Sequence, residues 1–238
     1  MKRQFIGRRR IAALGIAWSL SACQMLDSTM APPAGLGADT VVIKATDRSR
    51  ISGAWANERF VLGPYAIAEV DRDWDKSSRT GVGPYSRAKA TSGFQYGFRA
   101  GDQPWAGKCN SRRDENAVAV SDSSRLAWVH NRVHCRCSHA DQLAEITISD
   151  SSDSAQLGER QLSISRLFSN AQGVEFYEPL GFGVSGATPS GTRTDLGAVE
   201  LAHPGQVWLS PELTLTEQAQ LSCLFSGLLL YQPPELME

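Results

Sequence analysis

The densest group of residues that could do chemistry lies within ten positions near the middle of the chain. It holds three histidines and two cysteines, namely His130, His134, Cys135, Cys137 and His139. Thiolates and imidazoles are the ligands that zinc and copper prefer, so this segment suggests a metal site. On a single strand, however, Cys135, Cys137 and His139 share one face, while the other two histidines share the opposite face. One strand therefore cannot present all five residues to one ion, and their spacing fits no standard zinc module.

The alternative chemistry for these cysteines is disulfide formation. Cys109, Cys135, Cys137 and Cys223 are the four cysteines after Cys23, and four cysteines allow three pairings. A bond between Cys135 and Cys137 would close a strained ring, so we expect Cys109 to pair with one of them. Cys223 falls in a predicted helix, where we expect a buried free thiol. The sequence favours disulfides over a metal site at these positions, and we expect no cofactor.

A glycine-rich segment and a serine offer two further motifs, and neither meets its structural requirement. Gly181 to Gly186 matches G-x-G-x-x-G, but that fingerprint needs a helix directly after it, and Pro189 follows instead. The segment is more typical of a glycine-rich strand and loop. Ser185, Asp195 and His203 could form a catalytic triad on paper, yet Ser185 lacks the glycine two positions on that a nucleophile elbow requires. We therefore assign no catalytic residues.

The N-terminus has the three parts of a secretion signal. Residues 1–10 carry five basic side chains and no acid, and Ile11 to Leu20 is almost entirely apolar. Ten residues rise only about 15 Å as a helix, roughly half the hydrocarbon thickness of a bilayer. The segment is thus too short to span a membrane, and residues 1–22 are predicted to be a removable signal peptide.

The end of this signal, Leu20-Ser21-Ala22-Cys23, resembles the lipobox of bacterial lipoproteins. The resemblance implies diacylglyceryl attachment to the Cys23 thiol, cleavage before Cys23, and acylation of the new amino group by a fatty acid such as palmitate. Two or three acyl chains anchor a protein far more firmly than one. In that family an Asp after the cysteine retains many members at the inner membrane. Gln24 stands there instead, which implies an outer membrane lipoprotein that faces the periplasm.

The charge balance changes when the signal is removed. The chain has 24 basic and 25 acidic residues, and taking away the five basic residues of the signal leaves 19 against 25, a net charge of −6. An acidic domain has no electrostatic reason to bind nucleic acid. The sequence also shows no polybasic run for anionic lipid, so we expect the membrane contact to come from the lipid on Cys23.

The rest of the chain predicts one mainly β domain. Residues 23–38 contain two prolines and two glycines and are predicted to be the lipid anchor and a flexible tether. From residue 39 to 238, short stretches alternate between apolar and polar residues, and turn-forming residues separate them. Examples lie around Phe94 to Arg99, Ile146 to Ile148, Leu162 to Ile164 and Val174 to Phe176. This pattern indicates an antiparallel sheet, a sandwich or a barrel, in which we expect the tryptophans to belong to the core.

The C-terminus predicts a single buried helix. Thr214 and Glu217 have the spacing of a capping box, so the helix should begin near Leu215, and it should end near Tyr231, before two prolines. Its last turns are apolar nearly all round, which favours a place in the core. Strands followed by a terminal apolar helix resemble tubby-like and scramblase-like β-barrels in architecture. That resemblance implies a barrel closed around the helix. It rests on architecture alone, so no functional residues are carried over from those families.

These observations favour a lipid-anchored envelope protein of a non-enzymatic, binding or assembly type. Its expected partners are the membrane, through the lipid on Cys23, and another envelope protein or component. Three alternatives stay open, one of which is a β domain that holds a lipid or other apolar ligand in an internal cavity. A periplasmic metal-binding protein would use the segment from His130 to His139, and an envelope hydrolase would need a cleft that the sequence does not reveal.

Overall fold

The computed structural model describes residues 29–49, 58–121, 124–187 and 192–236. Within these ranges the chain forms thirteen β-strands and one α-helix. The strands are β1 (Val41–Thr46), β2 (Phe60–Leu62), β3 (Tyr65–Arg72), β4 (Lys76–Val82), β5 (Tyr85–Ala100), β6 (Gln103–Ser121), β7 (Ser124–His139), β8 (Gln142–Ser149), β9 (Ser154–Leu157), β10 (Arg160–Leu167), β11 (Gly181–Ala187), β12 (Arg193–Glu200) and β13 (Gln206–Leu209), and the helix is α1 (Leu215–Leu230). Among the same residues, no helix has the length and apolar character needed to cross a membrane. The predicted signal peptide and Cys23 lie outside the described residues.

The strands close into an antiparallel barrel. Each strand pairs with its neighbour in the order β3-β2-β1-β13-β12-β11-β10-β9-β8-β7-β6-β5, and a further pairing between β3 and β5 closes the ring of twelve described strands. β4 pairs only with β5 and stands outside the ring. The prediction of a mainly β, barrel-like domain with a C-terminal helix is confirmed. Closure leaves no long sheet edge in the barrel wall, which removes a common template for aggregation.

Helix α1 fills the barrel. Its residues from Ala219 to Leu230 are all buried, and they join one apolar cluster with side chains from nearly every strand of the wall. The predicted capping box is present, because Thr214 accepts from the Glu217 backbone N–H and the Glu217 carboxylate accepts from the Thr214 backbone N–H. A helix buried on all sides has no polar face, which is why its sequence is apolar all round.

Two arginines, Arg72 at the end of β3 and Arg48 just after β1, satisfy the last carbonyls of the helix. Arg72 donates to the Leu230 carbonyl at 2.8 Å, and its guanidinium also pairs with the buried Glu58 carboxylate and lies over the Phe94 ring. Arg48 donates to the Leu229 carbonyl and to the carbonyls of residues 201 and 204. Positive charge at this end of a helix is favourable because its free carbonyls carry partial negative charge. These contacts also place three parts of the chain at one end of the barrel: the C-terminal end of α1, the loop after β12, and the part of β5 around Phe94.

An arm of four strands extends from that same end. β5, β6 and β7 are 16, 19 and 16 residues long, so about half of each runs beyond the barrel wall, and β4 adds a fourth strand. In the barrel, even-numbered residues of β5 such as Phe94 and Tyr96 point inward and are buried. The alternation continues without a break along the β5–β6 pairing. We call the arm surface that continues the barrel interior the inner face, and its opposite the outer face.

The C-terminal tail lies on the inner face of the arm. After α1, Pro234 is buried, the Glu235 backbone N–H donates to Asp75, and Glu235 lines a cleft with Arg113 and Glu115 of β6. The alanines of this face, among them Ala88 and Ala90, are buried although the arm stands outside the barrel. Small side chains let the tail approach the sheet closely, so the inner face is occupied by the chain itself.

The N-terminal part of the described chain corrects the predicted tether. Residues 29–38 were assigned to a flexible tether, but Met30 is only 1% exposed and packs with Ala198 and Trp208. The Met30 backbone N–H donates to the buried Glu200 carboxylate at 2.8 Å, and residues 29–31 pair with the loop after β10. Residues 29–31 therefore belong to the domain, because burial of Met30 and pairing of the backbone hold this segment against the barrel.

One predicted strand is also wrong. Val174 and Phe176 alternate with polar residues, but residues 168–180 form an irregular connection with only isolated bridges. Two alternating positions are too few to tell a strand from an extended loop.

Candidate functional site

The four cysteines after Cys23 form two disulfides inside the barrel. Cys109 bonds to Cys135, its direct partner on the neighbouring strand, which agrees with one of the two expected pairings. Cys137 bonds to Cys223 and joins the wall to α1. The prediction that Cys223 is a free thiol is wrong. The helix runs through the barrel beside β7, and this contact between distant parts of the chain is not visible in the sequence.

The candidate metal ligands are not brought together. Cys135 and Cys137 face the barrel interior in disulfides, whereas the three histidines lie apart. His130 lies 3.6 Å from Asp150, and the His134 ring forms a hydrogen bond with the Thr147 hydroxyl. His139 contacts the Pro104 carbonyl and the ring of Trp105. Across the described ranges, no three His, Cys, Asp or Glu side chains cluster tightly enough to hold a metal ion. The arrangement offers no thiolate to a metal, since both sulfurs are oxidised.

The three residues of the candidate catalytic triad are also not brought together, because His203 lies far from the other two. Ser185 and Asp195 are cross-strand partners on β11 and β12, and the Ser185 hydroxyl accepts from Arg193. His203 lies in the loop beyond the other end of β12 and bonds to the Arg48 carbonyl. Asp195 lies five residues before Glu200, the last residue of β12, which corresponds to roughly 17 Å at about 3.4 Å per residue. His203 lies beyond that end of the strand. The three side chains therefore cannot act together.

The G-x-G-x-x-G segment lies in a strand, as the sequence analysis expected. Gly181 to Gly186 belong to β11, and a Cβ atom on Gly181 would lie 2.0 Å from the Val199 carbonyl oxygen. A Cβ on Gly183 would lie 2.7 Å from the Ser165 hydroxyl. These glycines permit close packing in the wall, and the next described element is the strand β12, which offers no helix N-terminus to a phosphate.

The outer face of the arm is the most distinctive surface in the described chain. Cross-strand partners share a face, so the pairings of β4 to β7 arrange its side chains in four rows of four. From the tip towards the barrel, the rows are Val82, Tyr85, Val118 and Leu126; Thr80, Arg87, Asn116 and Trp128; Ser78, Lys89, Asp114 and His130; and Lys76, Thr91, Arg112 and Arg132. Successive rows are about 7 Å apart.

The tip of this face is apolar and exposed. Val82 is 84% exposed, Tyr85 65%, Leu126 59% and Trp128 54%, and Val120 at the neighbouring hairpin is exposed as well. We call these five residues the apolar tip. Isolated exposed apolar side chains are ordinary, but a contiguous group with two aromatic rings marks an interaction surface. The expectation that the tryptophans belong to the core is right for Trp105 and Trp208 and wrong for Trp74 and Trp128.

Behind the apolar tip the outer face is basic. It carries five cations, namely Lys76, Arg87, Lys89, Arg112 and Arg132, and one carboxylate, Asp114. Arg112 donates two hydrogen bonds to Asp114 at 2.5 and 2.8 Å, and this pairing holds the pKa of Asp114 below its usual range. The carboxylate therefore stays ionised and neutralises about one cation, so the face keeps a net positive charge in a domain that is acidic as a whole.

A groove of about 620 Å³ lies at the base of the same face. Its walls include Trp74, which is 72% exposed, together with Lys76, Arg112, Arg132 and Asp73. The groove thus extends the basic rows onto the barrel wall and ends beside an exposed aromatic ring.

The sequence analysis missed this surface. Its five cations are spread between residues 76 and 132, so no run of the chain is strongly basic. The sequence of the arm strands did contain an indication of this surface. Alternate residues of a strand point to opposite faces, and the apolar residues of the tip lie on the face opposite to the small alanines. Recognising it requires the register between strands. Comparisons with protein-family models, curated proteins and solved structures find no match for this chain.

Proposed function

We propose that this chain is a lipid-anchored envelope protein of a non-enzymatic, binding type, and that the outer face of the arm is its binding surface. The observation that carries the proposal is the contrast between the two candidate places for a ligand. The barrel interior is filled by α1, whereas the outer face combines an apolar tip with a net positive charge. Its partner is an envelope component, and its location is the periplasmic side of the outer membrane.

Three features support the envelope assignment. The N-terminal sequence has the regions of a signal peptide and ends in a lipobox-like motif before Cys23. The two disulfides are typical of proteins that fold in an oxidising compartment. Cys23 precedes Thr29, which packs against the barrel, by six residues, so a lipid on Cys23 would lie close to the domain along the chain.

The anchor is tested by mass spectrometry and fractionation of the expressed full chain. Cys23→Ala should abolish the lipid-modified mass and release the protein from the membrane fraction. A variant that still sediments with the outer membrane, or a wild-type protein that carries no lipid at Cys23, would contradict the anchored form of the proposal.

The binding surface is tested by photo-crosslinking in cells. A photoreactive phenylalanine analogue at Trp128 should give a covalent adduct with an envelope component. The matched control is the same analogue at Leu215, which is 82% exposed but lies at the opposite end of the barrel. Equal labelling at the two positions, or none at Trp128, would argue against the outer face as the binding surface.

A further inference from the structure

We infer that the outer face of the arm docks on an anionic phospholipid bilayer, with the apolar tip in the interface and the basic rows against the headgroups. This inference deepens the proposed function and rests on it, because it names the envelope component and uses the lipid on Cys23. It follows from three observations: the chemistry of the tip, the charge behind it, and the end of the barrel that holds both the arm and Thr29, the first described residue.

The apolar tip has the composition of an interfacial anchor. Tyr85 and Trp128 are amphipathic aromatic residues, which concentrate at membrane–water interfaces, and Val82, Val120 and Leu126 are aliphatic. Val82 and Tyr85 flank the turn of the β4–β5 hairpin, and the other three lie on the adjacent β6–β7 hairpin a few residues behind its end. No other part of the described chain covers them. A protein groove would need to enclose a narrow hairpin end, whereas a bilayer interface receives it directly.

The cations lie where headgroups would be. Arg87 and Lys89 stand two and four residues behind Tyr85, which corresponds to about 7 and 14 Å along the strand. The first of these distances falls within a Debye length at physiological ionic strength, so both the tip and the nearest cation act on the same anionic surface. A basic residue near such a surface contributes about 1 kcal/mol, equivalent to roughly a fivefold change in affinity.

Thr29, the first described residue, lies at the end of the barrel that carries the arm. Thr29 accepts from the backbone of residue 171 and lines a cleft with the loop after β12, and that loop is joined through Arg48 to the C-terminal end of α1. Cys23 precedes Thr29 by six residues, which span at most about 20 Å. From Phe94 to Tyr85 the arm runs nine residues, about 30 Å along the strand and less along the tilted barrel axis. The anchor and the apolar tip therefore reach comparable distances from the same end, and one membrane can hold both.

The direct test measures whether the tip of the full, lipidated chain touches lipid. Val82→Cys is labelled with an environment-sensitive fluorophore and reconstituted in vesicles of phosphatidylethanolamine and phosphatidylglycerol that contain a lipid-borne quencher. The control is Leu215→Cys, equally exposed but at the far end of the barrel. We expect quenching and a blue shift at position 82 and neither at position 215. An unquenched label at position 82 on a protein whose mass shows lipid at Cys23 would overturn the inference while leaving the anchor intact.

The electrostatic part is tested with the mature chain carrying Cys23→Ser, which removes the lipid. It should bind phosphatidylglycerol-containing vesicles more tightly than phosphatidylcholine vesicles, and the double variant R87Q/K89Q should weaken that binding at least fivefold, because Arg87 lies within a Debye length of the tip and Lys89 lies beyond it. The matched control is R99Q/K108Q, which removes two exposed cations of the same sheet from the barrel wall. Equal binding to both lipids, or equal losses in the two double variants, would overturn the assignment to an anionic bilayer.

Discussion

At the scale of single residues, the helix can enter the barrel only because small residues face bulky ones. The Tyr96 ring packs against the wall at Gly107, where a Cβ would lie 2.1 Å from the ring. Its hydroxyl donates to the Cys223 carbonyl at 2.8 Å, and complete burial raises the pKa of Tyr96. On the helix, Gly227 faces Tyr96 and the disulfide of Cys109. The close approach of the helix to the wall thus depends on two glycines, Gly107 and Gly227.

Gly227→Ala should destabilise the protein by up to about 2 kcal/mol. A Cβ at this position would lie 2.7 Å from the Cys109 sulfur and 2.8 Å from the Tyr96 hydroxyl, so helix or wall must shift, at a cost of about 1–3 kcal/mol. The gain of about 1 kcal/mol that alanine brings to a helix interior offsets part of this cost. The measurement is the free energy of unfolding from urea titration.

The matched control for that variant is Gly37→Ala. No atom lies within 4 Å of a Cβ at Gly37, so its free energy of unfolding should change by less than about 0.5 kcal/mol. If Gly227→Ala were as stable as the parent protein, the packing of the helix against the disulfide would be looser than described.

At the scale of secondary-structure elements, α1 is held at both ends and in the middle. The capping box of Thr214 and Glu217 orders its start, and Arg160 pairs with Glu217 at 3.0 Å. The disulfide between Cys137 and Cys223 fixes its centre to β7, and two arginines satisfy its last carbonyls. Only the first of these contacts is local in sequence.

Removing the disulfide that holds the helix should cost more than removing the one within the wall. The Cys137–Cys223 bond closes a separation of 86 residues and the Cys109–Cys135 bond one of 26. Loop-closure entropy then gives losses of about 4.5 and about 3.5 kcal/mol for the paired alanine variants C137A/C223A and C109A/C135A. The free energies of unfolding of the two double variants test this order, and the reverse order would contradict it.

Glu217 should make the protein more stable at neutral than at acid pH. Burial alone would raise the pKa of Glu217, but hydrogen bonds from Thr214 and the pairing with Arg160 outweigh it and lower that pKa. A carboxyl group whose pKa is lowered on folding stabilises the folded state above its unfolded pKa, and this contribution is lost as pH falls through the folded pKa.

Glu217→Gln keeps the side-chain oxygen and removes the charge, so the loss of stability between pH 7 and pH 3 should be smaller in this variant, by about 0.5 kcal/mol for a partly exposed pair. Thermal or urea unfolding at the two pH values measures it. Glu212→Gln, an exposed neighbour in the preceding loop, should behave as the parent protein does. An unchanged acid loss in Glu217→Gln would contradict the role of the charge.

At the scale of the whole molecule, the chain builds a closed barrel and then adds a sheet with two different faces. The inner face of the arm is covered by the C-terminal tail, and the outer face is left to solvent. The tail follows directly from α1, so the element that fills the barrel also supports the arm. The proposed binding surface therefore depends on the described part of the tail, residues 232–236, although none of these residues belongs to it.

Deleting residues 232–238 should loosen the arm and leave the barrel intact. The deletion exposes Ala88, Ala90 and the polar side chains around Arg113, and removes the hydrogen bond to Asp75. Hydrogen exchange followed by mass spectrometry should show at least tenfold faster exchange in the parts of β5 and β6 that form the arm. This corresponds to a loss of about 1.4 kcal/mol or more in the free energy of local unfolding. Strands β10 to β12 are the internal control, and faster exchange there too would mean that the tail stabilises the whole fold.

The sequence by itself determined the local features of this protein. Alternation predicted most of the strands, the capping box predicted the start of α1 within a residue, and the apolar last turns predicted a buried helix. A separation of two residues placed Cys135 and Cys137 on one face. Each of these follows from backbone geometry over a few residues.

Tertiary structure alone decided the pairing of Cys223, the packing of Met30 and the outer face of the arm. Closure of the barrel depends on the pairing of β3 with β5, and the basic face depends on the register of four strands, so the side chains that matter come from positions far apart in the chain. Hydrophobic burial rewards such contacts only after the strands have been brought together, and no local pattern encodes which strand lies beside which.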